Sequence, residues 1–563
     1  MFEEGLSCFP VEHRQRKRNG DTCRALPSQN SSIKASDMKP VTRSIWRKAR
    51  LVMLIAALFL VVSCTTPHAD KSTYKITVSA KNAYSVYNAT KYVSQSIEER
   101  KSVTVQAREG DVLAVGLRDF GLCQWVFDPE DPAEMNFAVV DGQVYCNGNV
   151  WGLRLRNQSS LQWLQQADDK VLASVHYVVI HRDTQPTPAM LARLADNNLF
   201  LQLSEMPKTS PPSPAKISNV RELVKAASPE GLDFLYLKCC DLTVLNAVTG
   251  LKALKFGNRD ILSLEPIANL KELIHLSMLG FSSADLTPLA SATHLRYLRM
   301  EGSPPGIDLT PIADLVELQE LSLSTAFGRD GLEPLATLRN LKRLTLENDF
   351  SSLHMKPLSN LQQLQELCVY SGKSVGDLSF LRYMPNLRVL KIFNGLGASD
   401  LTPLADTNLI ELSLQTRSSD NLSPIAQMDT LESLSLTDIR CSDFSAIGKL
   451  RKLKSLSISN CPSLTSLPPE TIRASIEKLQ VNNCRSLTDI WAVSSYNRLR
   501  KLWIWRCPLV AELPELSELE RLEQVILRES GIADLSPLLK IPALQELEVK
   551  GCPYANVVPS LAP

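Results

Sequence analysis

Histidine and cysteine are the side chains of this chain with the widest chemical repertoire, and neither type clusters in a catalytic pattern. The 563 residues include 7 histidines and 13 cysteines, but the cysteines do not recur at the spacing of a zinc site. His176, His181 and Asp183 are close in sequence, yet a structural zinc site takes four ligands. Motifs for phosphate binding, zinc hydrolysis or a serine nucleophile are also missing from the sequence. We therefore predict no enzymatic activity, no cofactor, no metal and no small-molecule substrate.

Cys64 differs from the other cysteines because it directly follows an apolar run. A basic stretch at residues 38–50 precedes the 12 apolar residues 51–62, and Ser63-Cys64 follows them. This order is typical of a secretory signal peptide, and the run is short of the roughly 20 residues that cross a bilayer. We assign the signal to residues 38–63. Residues 1–37 are polar and patternless, so we interpret them as a disordered extension or as a start codon placed too early.

The tetrapeptide Val61-Val62-Ser63-Cys64 resembles the processing box of bacterial lipoproteins. In that family the cysteine is lipidated and becomes the first residue of the mature protein. The resemblance implies a cell-envelope protein with a lipid anchor at Cys64; the alternative is an uncleaved signal anchor. The next residue is Thr65 rather than Asp, which in Gram-negative lipoproteins implies the outer membrane, facing either the periplasm or the cell surface.

The charge of the chain is unevenly distributed. The formal net charge is +1, but residues 1–63 hold 11 Lys/Arg against 5 Asp/Glu, so the remainder carries 50 against 55. This mildly acidic body lacks the basic footprint of a nucleic-acid-binding protein, and we predict no nucleic-acid partner.

Residues 64–206 predict a small, mainly antiparallel β domain. Short runs at 74–78, 102–106, 112–117 and 171–180 are typical of strands, Asp141-Gly142 between two apolar runs predicts a hairpin, and 188–197 predicts a short helix. Cys123 and Cys146 are the cysteines of the region after residue 73, so they form either a disulfide or two buried thiols.

The Pro/Ser-rich residues 207–216 predict a linker. Asn219 and Glu222 predict a capping box for a helix in residues 217–231, a segment that covers the N-terminal end of the repeats.

A pattern of the form L-x-x-L-x-L recurs fifteen times across residues 232–563. The first step between repeats is 19 residues, and every later step is 22 or 23. This period predicts an α/β solenoid, a right-handed leucine-rich-repeat horseshoe of about 15 repeats with a parallel sheet on its concave face. The first apolar positions of the turns are Leu232, Leu251, Leu273, Leu295, Leu318, Leu341, Leu364, Leu387, Leu409, Leu431, Leu453, Ile476, Leu499, Leu522 and Leu544.

The second half of many repeats reads D-L-x-P-L, as at residues 285–289, 308–312, 400–404 and 534–538. These motifs resemble the short repeats of the bacterial internalins, and the resemblance implies the fold rather than a ligand. Residues 466–469 and 512–515 lack the Asp, so we expect more extended convex segments there. Five cysteines lie eight residues after the first Leu of their turns, where we expect a structural rather than a redox role: Cys240, Cys461, Cys484, Cys507 and Cys552.

The residues between the leucines alternate to the opposite face of each strand, where a partner can reach them. Trp503 and Trp505 lie on this face, and tryptophan with arginine nearby is typical of interface hot spots. A second, looser aromatic group lies some five turns earlier. In the alternative interpretation the rings only pack on one another and on Lys/Arg stems. The candidate partner-binding residues are Trp503, Trp505, Lys501, Arg528, Tyr370 and Phe393.

A protein-sized binding surface on an envelope protein is compatible with three functions. The first is a lipoprotein that binds a protein partner, at the surface or in the periplasm. The second is a periplasmic immunity or inhibitor lipoprotein that neutralises a toxin or an enzyme. The third is a structural protein of the envelope. The sequence leaves all three open.

Lipidation of Cys64 is directly testable. We expect the wild-type chain to incorporate labelled palmitate in a bacterial host and Cys64→Ser to lose the label, because the thiol is the attachment point. Incorporation is measured in membrane fractions, with Cys123→Ser as the matched control that keeps the label. Labelling of the Cys64→Ser variant at the wild-type level would contradict the assignment.

Overall fold

The computed structural model divides the chain into two compact units, residues 1–62 and 63–563, and the residues that it describes all lie in the second. The signal segment and Cys64 fall outside them, so the predictions made there stay predictions. In the described part, no helix is long and apolar enough to cross a membrane. The described residues are 74–80, 83–88, 93–95, 102–107, 112–117, 121–126, 134–140, 143–181, 184–195, 197–203, 214–234, 242–257, 261–324, 331–347, 355–370, 375, 377–393, 400–416, 421–468 and 476–553.

Strands β9 to β26 form one parallel ladder in which each turn of chain adds one strand. The fifteen strands from β12 onward belong to the fifteen predicted turns, so the predicted leucine-rich-repeat solenoid is confirmed. The strands are β9 (Asn149–Leu155), β10 (Tyr177–Ile180), β11 (Phe200–Leu203), β12 (Gly231–Phe234), β13 (Ala253–Phe256), β14 (His275–Leu279), β15 (Tyr297–Glu301), β16 (Glu320–Ser324), β17 (Arg343–Glu347), β18 (Glu366–Tyr370), β19 (Val389–Phe393), β20 (Glu411–Gln415), β21 (Ser433–Thr437), β22 (Ser455–Ser459), β23 (Lys478–Asn482), β24 (Lys501–Trp505), β25 (Gln524–Arg528) and β26 (Glu546–Lys550).

The leucines of successive turns stack into a continuous core. Leu412, Leu434 and Leu456 are in register on neighbouring strands, and each is at most 1% exposed. Burying one such side chain stabilises the fold by about 1.5–3 kcal/mol, but a single turn has nothing to bury it against. The ladder therefore folds as stacked layers, with leucines on one face and polar residues on the opposite face, which we call the concave face.

The Asp of the D-L-x-P motif begins a short helix on the other side of the core. The Asp285 Oδ1 atom accepts a hydrogen bond from the Thr287 N–H at 2.9 Å, and hydrogen bonds from Thr287 lower the pKa of that carboxyl. Asp308 makes the same contact with Thr310 at 2.8 Å. Between β24 and β25, where the motif lacks Asp, the described residues form no helix, as the sequence predicts. These short helices are 242–247, 265–269, 287–291, 310–314, 333–337, 356–360, 379–383, 402–405, 423–427, 445–449, 491–495 and 536–540.

The cysteines of the later repeats are structural, as predicted. Cys461, Cys484 and Cys507 are fully buried. Their thiols donate to the carbonyl oxygens two residues earlier at 3.3, 3.5 and 3.4 Å respectively, so they satisfy backbone groups where each strand turns away from the sheet. Cys240 lies outside the described residues.

Part of the region before the repeats continues the same sheet. β1 pairs with β4 in antiparallel and with β7 in parallel orientation, and β8 joins β7 to β9. The result is one sheet of 22 strands. The pairing of Val140 with Gln143 confirms the predicted hairpin. These strands are β1 (Tyr74–Ala80), β4 (Ser102–Ala107), β7 (Glu134–Val140) and β8 (Gln143–Cys146).

A second, antiparallel sheet of four strands covers the concave face at the start of the ladder. Trp125 packs edge-on against Trp151 of β9, with ring centroids 5.2 Å apart, and Tyr177 and Phe200 of the next two strands belong to the same buried cluster. The start of the concave face is therefore occupied by the chain itself. The strands of this second sheet, in order, are β3 (Val93–Gln95), β2 (Ala83–Asn88), β5 (Val112–Leu117) and β6 (Gly121–Val126).

The predicted register of the first turn is wrong. Leu232 pairs with Leu254 rather than with Leu251, so it is the second leucine of its turn and not the first. Asp233 instead of Tyr236 therefore takes the concave position between the last two apolar residues of that turn. Gly231, the residue before Leu232, packs closely on β11, since a β-carbon there would lie 2.3 Å from the Phe200 ring. The short step of 19 residues in the sequence comes from this misalignment.

Two further predictions about the segment between β9 and β12 are corrected. The strand predicted at 171–180 is confined to β10, because the Asp168 side chain accepts from the Lys170 N–H and begins a helix there. The predicted capping box at Asn219 lies inside a longer helix that begins before it and connects β11 to β12. The α-helices of this region are α1 (Gln158–Gln166), α2 (Asp169–Leu172), α3 (Pro188–Ala192) and α4 (Pro214–Ala227).

Cleavage in the predicted linker tests whether the ladder is continuous. Because β11 pairs with β12, a chain cut within residues 207–213 should show two bands on a denaturing gel yet elute as one species in size-exclusion chromatography. A chain cut between the signal segment and β1 is the control. Separation of the two fragments without denaturant would contradict the shared ladder.

Candidate functional site

Three rows of side chains cross the concave face of the ladder. On β24 the rows are marked by Lys501, Trp503 and Trp505, since alternate residues of a strand point to the same side. The neighbouring strands are in register, so Trp503 lies between Gln480 and Ile526 in the middle row. A long protein surface can contact many turns at once on such a face.

Trp503 is held in place by contacts with both neighbouring strands. Its indole Nε1–H donates to the Gln524 Oε1 atom at 3.1 Å, and the Lys478 ammonium lies 4.4 Å from the ring centroid. The ring is half-buried, so the tryptophan is less exposed than the alternation predicts. These contacts fix the orientation of the ring before any partner binds.

Trp505 lies between two guanidinium groups. The Cζ atoms of Arg506 and Arg528 are each 5.5 Å from its ring centroid. Arg528 also forms two hydrogen bonds of 2.8 Å with the Glu548 carboxylate, so its charge is already compensated. Of the two basic candidate residues, Lys501 and Arg528, only Arg528 is therefore neutralised by a carboxylate. Arg506 has a φ of 52°, a left-handed backbone that is unusual for arginine.

Lys478 and Lys501 are two adjacent uncompensated cations of this region. They are direct neighbours in the first row, and neither has a carboxylate within ion-pair distance among the described residues. Burial, together with the charge of Lys501, lowers the pKa of Lys478. The sequence interpretation missed Lys478, although the signal was present: it holds the same strand position as Lys501 one turn earlier.

Other concave cations of the solenoid have carboxylate partners in the structure. Lys391 Nζ lies 2.8 Å from Glu411 Oε1, and Arg528 is bound to Glu548 as described above. The same holds for Lys255 with Asp233, Arg299 with Glu301, and Arg343 with Glu320. The contrast makes the Lys478 and Lys501 pair a specific feature of the C-terminal turns.

The second predicted aromatic group forms one stack. The rings of Tyr370 and Phe393 lie 4.9 Å apart at an angle of 14°, and Tyr370 is 38% exposed. Burial raises the pKa of the Tyr370 hydroxyl, so that group stays neutral at physiological pH. The stack is an apolar contact point, and the nearby Lys391 is bound to Glu411.

The remaining predicted site residues give no chemical centre. In the part of the chain that the structure describes, no three His, Cys, Asp or Glu side chains converge to hold a metal ion. Cys146 is buried on β8, and the Cys123 side chain falls outside the described residues, so their disulfide stays a prediction.

The chain is similar to solved structures of repeat proteins. An internalin of Listeria monocytogenes is 19% identical, with 70% of this chain and 93% of that chain covered and a TM-score of 0.41. A leucine-rich-repeat protein of Leptospira interrogans is 15% identical, with 70% of this chain and 99% of that chain covered and a TM-score of 0.43. The Toll–Spatzle complex of Drosophila is 16% identical, with 74% of this chain and 58% of that chain covered and a TM-score of 0.46. No family model matches the chain, and no curated protein does. By its ladder this is a leucine-rich-repeat protein, and nothing about its ligand follows from these similarities.

The charge state of Lys478 predicts a contrast between two lysine variants. Because its pKa is lowered in the folded chain, protonated Lys478 opposes folding, and this cost is present at neutral pH and disappears as pH rises into the usual lysine range. Lys478→Met should therefore leave the Tm at pH 7 unchanged or higher. Lys391→Met should lower the free energy of unfolding by about 2–3 kcal/mol, because it leaves the half-buried Glu411 unpaired. Thermal melts at pH 7 measure both, and a Tm for Lys478→Met as low as that of Lys391→Met would be the contrary result.

Proposed function

We propose that this chain is an envelope-anchored lipoprotein that binds a protein partner with the C-terminal turns of its concave face. The observation that carries the proposal is the pair of uncompensated lysines beside Trp503. The two adjacent cations repel each other in the free protein, whereas an acidic partner surface stabilises both. Tryptophan next to basic residues is also the composition of interface hot spots.

The dimensions of the face support a macromolecular partner. Fifteen strands at a spacing of about 4.8 Å form a surface roughly 70 Å long. A stable protein interface covers about 800 Å² on each side, which such a face accommodates over a few turns. The face presents side chains to solvent without an enclosing pocket at β23–β26, so it suits a flat or convex protein better than a metabolite, and we infer a binding role rather than a catalytic one.

The location in the envelope rests on the sequence before residue 65. The signal segment and the Val61–Cys64 tetrapeptide support lipidation, and a lipid anchor would place the solenoid at the outer membrane. Stable retention would require more than one acyl chain, because a single chain anchors a protein only weakly. Surface digestion of intact cells by an added protease distinguishes a surface-exposed solenoid from a periplasmic one.

The decisive variants truncate the tryptophans. We expect Trp503→Ala/Trp505→Ala to weaken partner binding by about 2–4 kcal/mol, or roughly 30- to 1000-fold in Kd, while the fold persists because neither ring belongs to the leucine core. The partner is first captured from envelope extracts by cross-linking, and Kd is then measured with the purified components.

Two matched controls separate the site from a general effect on the face. Ser435→Ala/Ser457→Ala changes the same row of the sheet at uncharged turns and should leave Kd unchanged. Tyr370→Ala/Phe393→Ala tests the second aromatic group independently. Unchanged binding by a folded tryptophan double variant would remove this site, and a collapsed Tm would instead show that the rings serve packing.

A further inference from the structure

The last strand of the ladder in the described part of the chain leaves one edge of the sheet open. β26 pairs with β25, and no other described strand is in register with it. Its inward side chains Leu547 and Val549 are only half-buried, whereas the equivalent Val525 and Leu527 of β25 are fully buried. The described residues therefore cover this end of the leucine core incompletely.

The short helix of the same turn adds an exposed apolar side chain to this end. Leu539 is 59% exposed, and it directly follows the buried Leu538 in the helix 536–540. Alanine holds the equivalent position in several earlier helices, as Ala313 and Ala426 do. The end of the ladder thus exposes apolar groups from both its strand and its helix, and contiguous apolar surface of this kind marks interaction sites in proteins.

The edge of β26 has few of the features that keep sheet edges from pairing. Natural proteins protect such edges with proline, β-bulges or charged side chains. The register of β26 with β25 is regular, and the strand, which contains no proline, reads Glu546-Leu547-Glu548-Val549-Lys550. Its charges are therefore the remaining protection, and their order decides which strand can pair with it.

These charges are self-complementary. In an antiparallel pair of two copies centred on Glu548, Glu546 of each copy faces Lys550 of the other, because opposite residues lie at equal distances from the centre. Lys550 has no carboxylate within ion-pair distance among the described residues. Glu546 accepts a hydrogen bond from the neutral Gln524 side chain at 2.6 Å. In the part of the chain that the structure describes, both charges thus lack an opposite charge, and a second copy supplies it.

The centre of such a pair tolerates the two glutamates that meet there. Each Glu548 carboxylate forms two hydrogen bonds of 2.8 Å with the Arg528 guanidinium, so its charge is compensated within its own chain. On the core side of the sheet Leu547 of one copy faces Val549 of the other, since opposite residues of paired strands point to the same face. The two leucine cores then shield each other from water.

We propose that two copies of the chain associate through β26, so that their ladders join as one sheet across an antiparallel strand pair. This contact is isologous, as in most dimers. The β24 strands of the two copies then lie five strand spacings apart, or roughly 24 Å, and the two Trp503 sites lie side by side on one continuous face. The association does not depend on the partner proposed for that site.

Disulfide trapping at the two-fold axis tests the proposal. Residue 548 of one copy faces residue 548 of the other with Cα atoms about 4.5–5.5 Å apart, which is within disulfide range. We expect the purified full chain with Glu548→Cys to form a covalent dimer in oxidised glutathione, detected on a non-reducing gel. The matched control is Ser435→Cys, in the same row on β21, which should show only the wild-type level of dimer. No excess of dimer for Glu548→Cys over this control would overturn the proposal, and it is the result expected if residues after 553 cover the edge.

Charge reversals on the Glu548→Cys background test the antiparallel register. Lys550→Glu puts like charges into both opposed pairs and should slow disulfide formation at least about tenfold, because like charges directly opposite each other are destabilising. Glu546→Lys/Lys550→Glu restores opposite charges and should recover the original rate. Far-ultraviolet circular dichroism and Tm confirm that each variant is folded. A folded double variant that stays as slow as Lys550→Glu would overturn the strand pair.

Light scattering after size-exclusion chromatography gives a measure that keeps Glu548. Wild type and Glu546→Lys/Lys550→Glu should have the mass of a dimer, and Lys550→Glu should have the mass of a monomer. This comparison remains informative if Glu548→Cys fails to fold. A monomeric wild type, or a Lys550→Glu variant as dimeric as wild type, would contradict the proposed contact.

Discussion

No turn of this chain can bury its own leucines, and the rest of the structure depends on that constraint. A turn of 22 or 23 residues places its leucines on one side of a short strand, where they are shielded only by the strands before and after. Stacking therefore fixes the register of every strand, as in the row Leu412, Leu434 and Leu456. Once that register is fixed, the chemistry of the opposite face is fixed with it, because each concave side chain has a set neighbour about 4.8 Å away on either side.

This spacing makes electrostatic pairing on the concave face a property of the repeat. A cation and a carboxylate at equivalent positions of adjacent turns face each other, as Arg343 and Glu320 do across β16 and β17. Two cations at equivalent positions face each other as well, and the leucine register prevents them from moving apart. Lys478 and Lys501 are held together in this way. Their repulsion is thus a consequence of the core, and an acidic partner can relieve it without any change in the ladder.

The repeat region could be predicted from the sequence because its signal is repeated fourteen times, whereas features that occur once could not. The strands, their leucines and the row that contains Trp503 follow from the period. The start of the ladder does not: β9 to β11 lack the leucine pattern, and the residues after Leu232 imitate it three positions late. Gly231 pairs with Phe200 of β11 and packs against its ring, and Phe200 is remote in sequence. The same holds for Trp125, whose contact with Trp151 depends on the second sheet folding onto the concave face. Contacts between distant segments of this kind carry no periodic signal.

The covered start of the concave face and Trp503 lie at opposite ends of the ladder. From β14, which carries Ser277, to β24, which carries Trp503, there are ten strand spacings, or roughly 48 Å. A compact domain of 100 residues has a radius of gyration of about 13 Å, so one such domain cannot contact both regions at once. Between them the face carries paired charges, the stacked rings of Tyr370 and Phe393, and then the hydroxyl groups of β21 and β22. The second sheet covers the first strands of the ladder, so a large partner of the concave face is confined to the turns after β14.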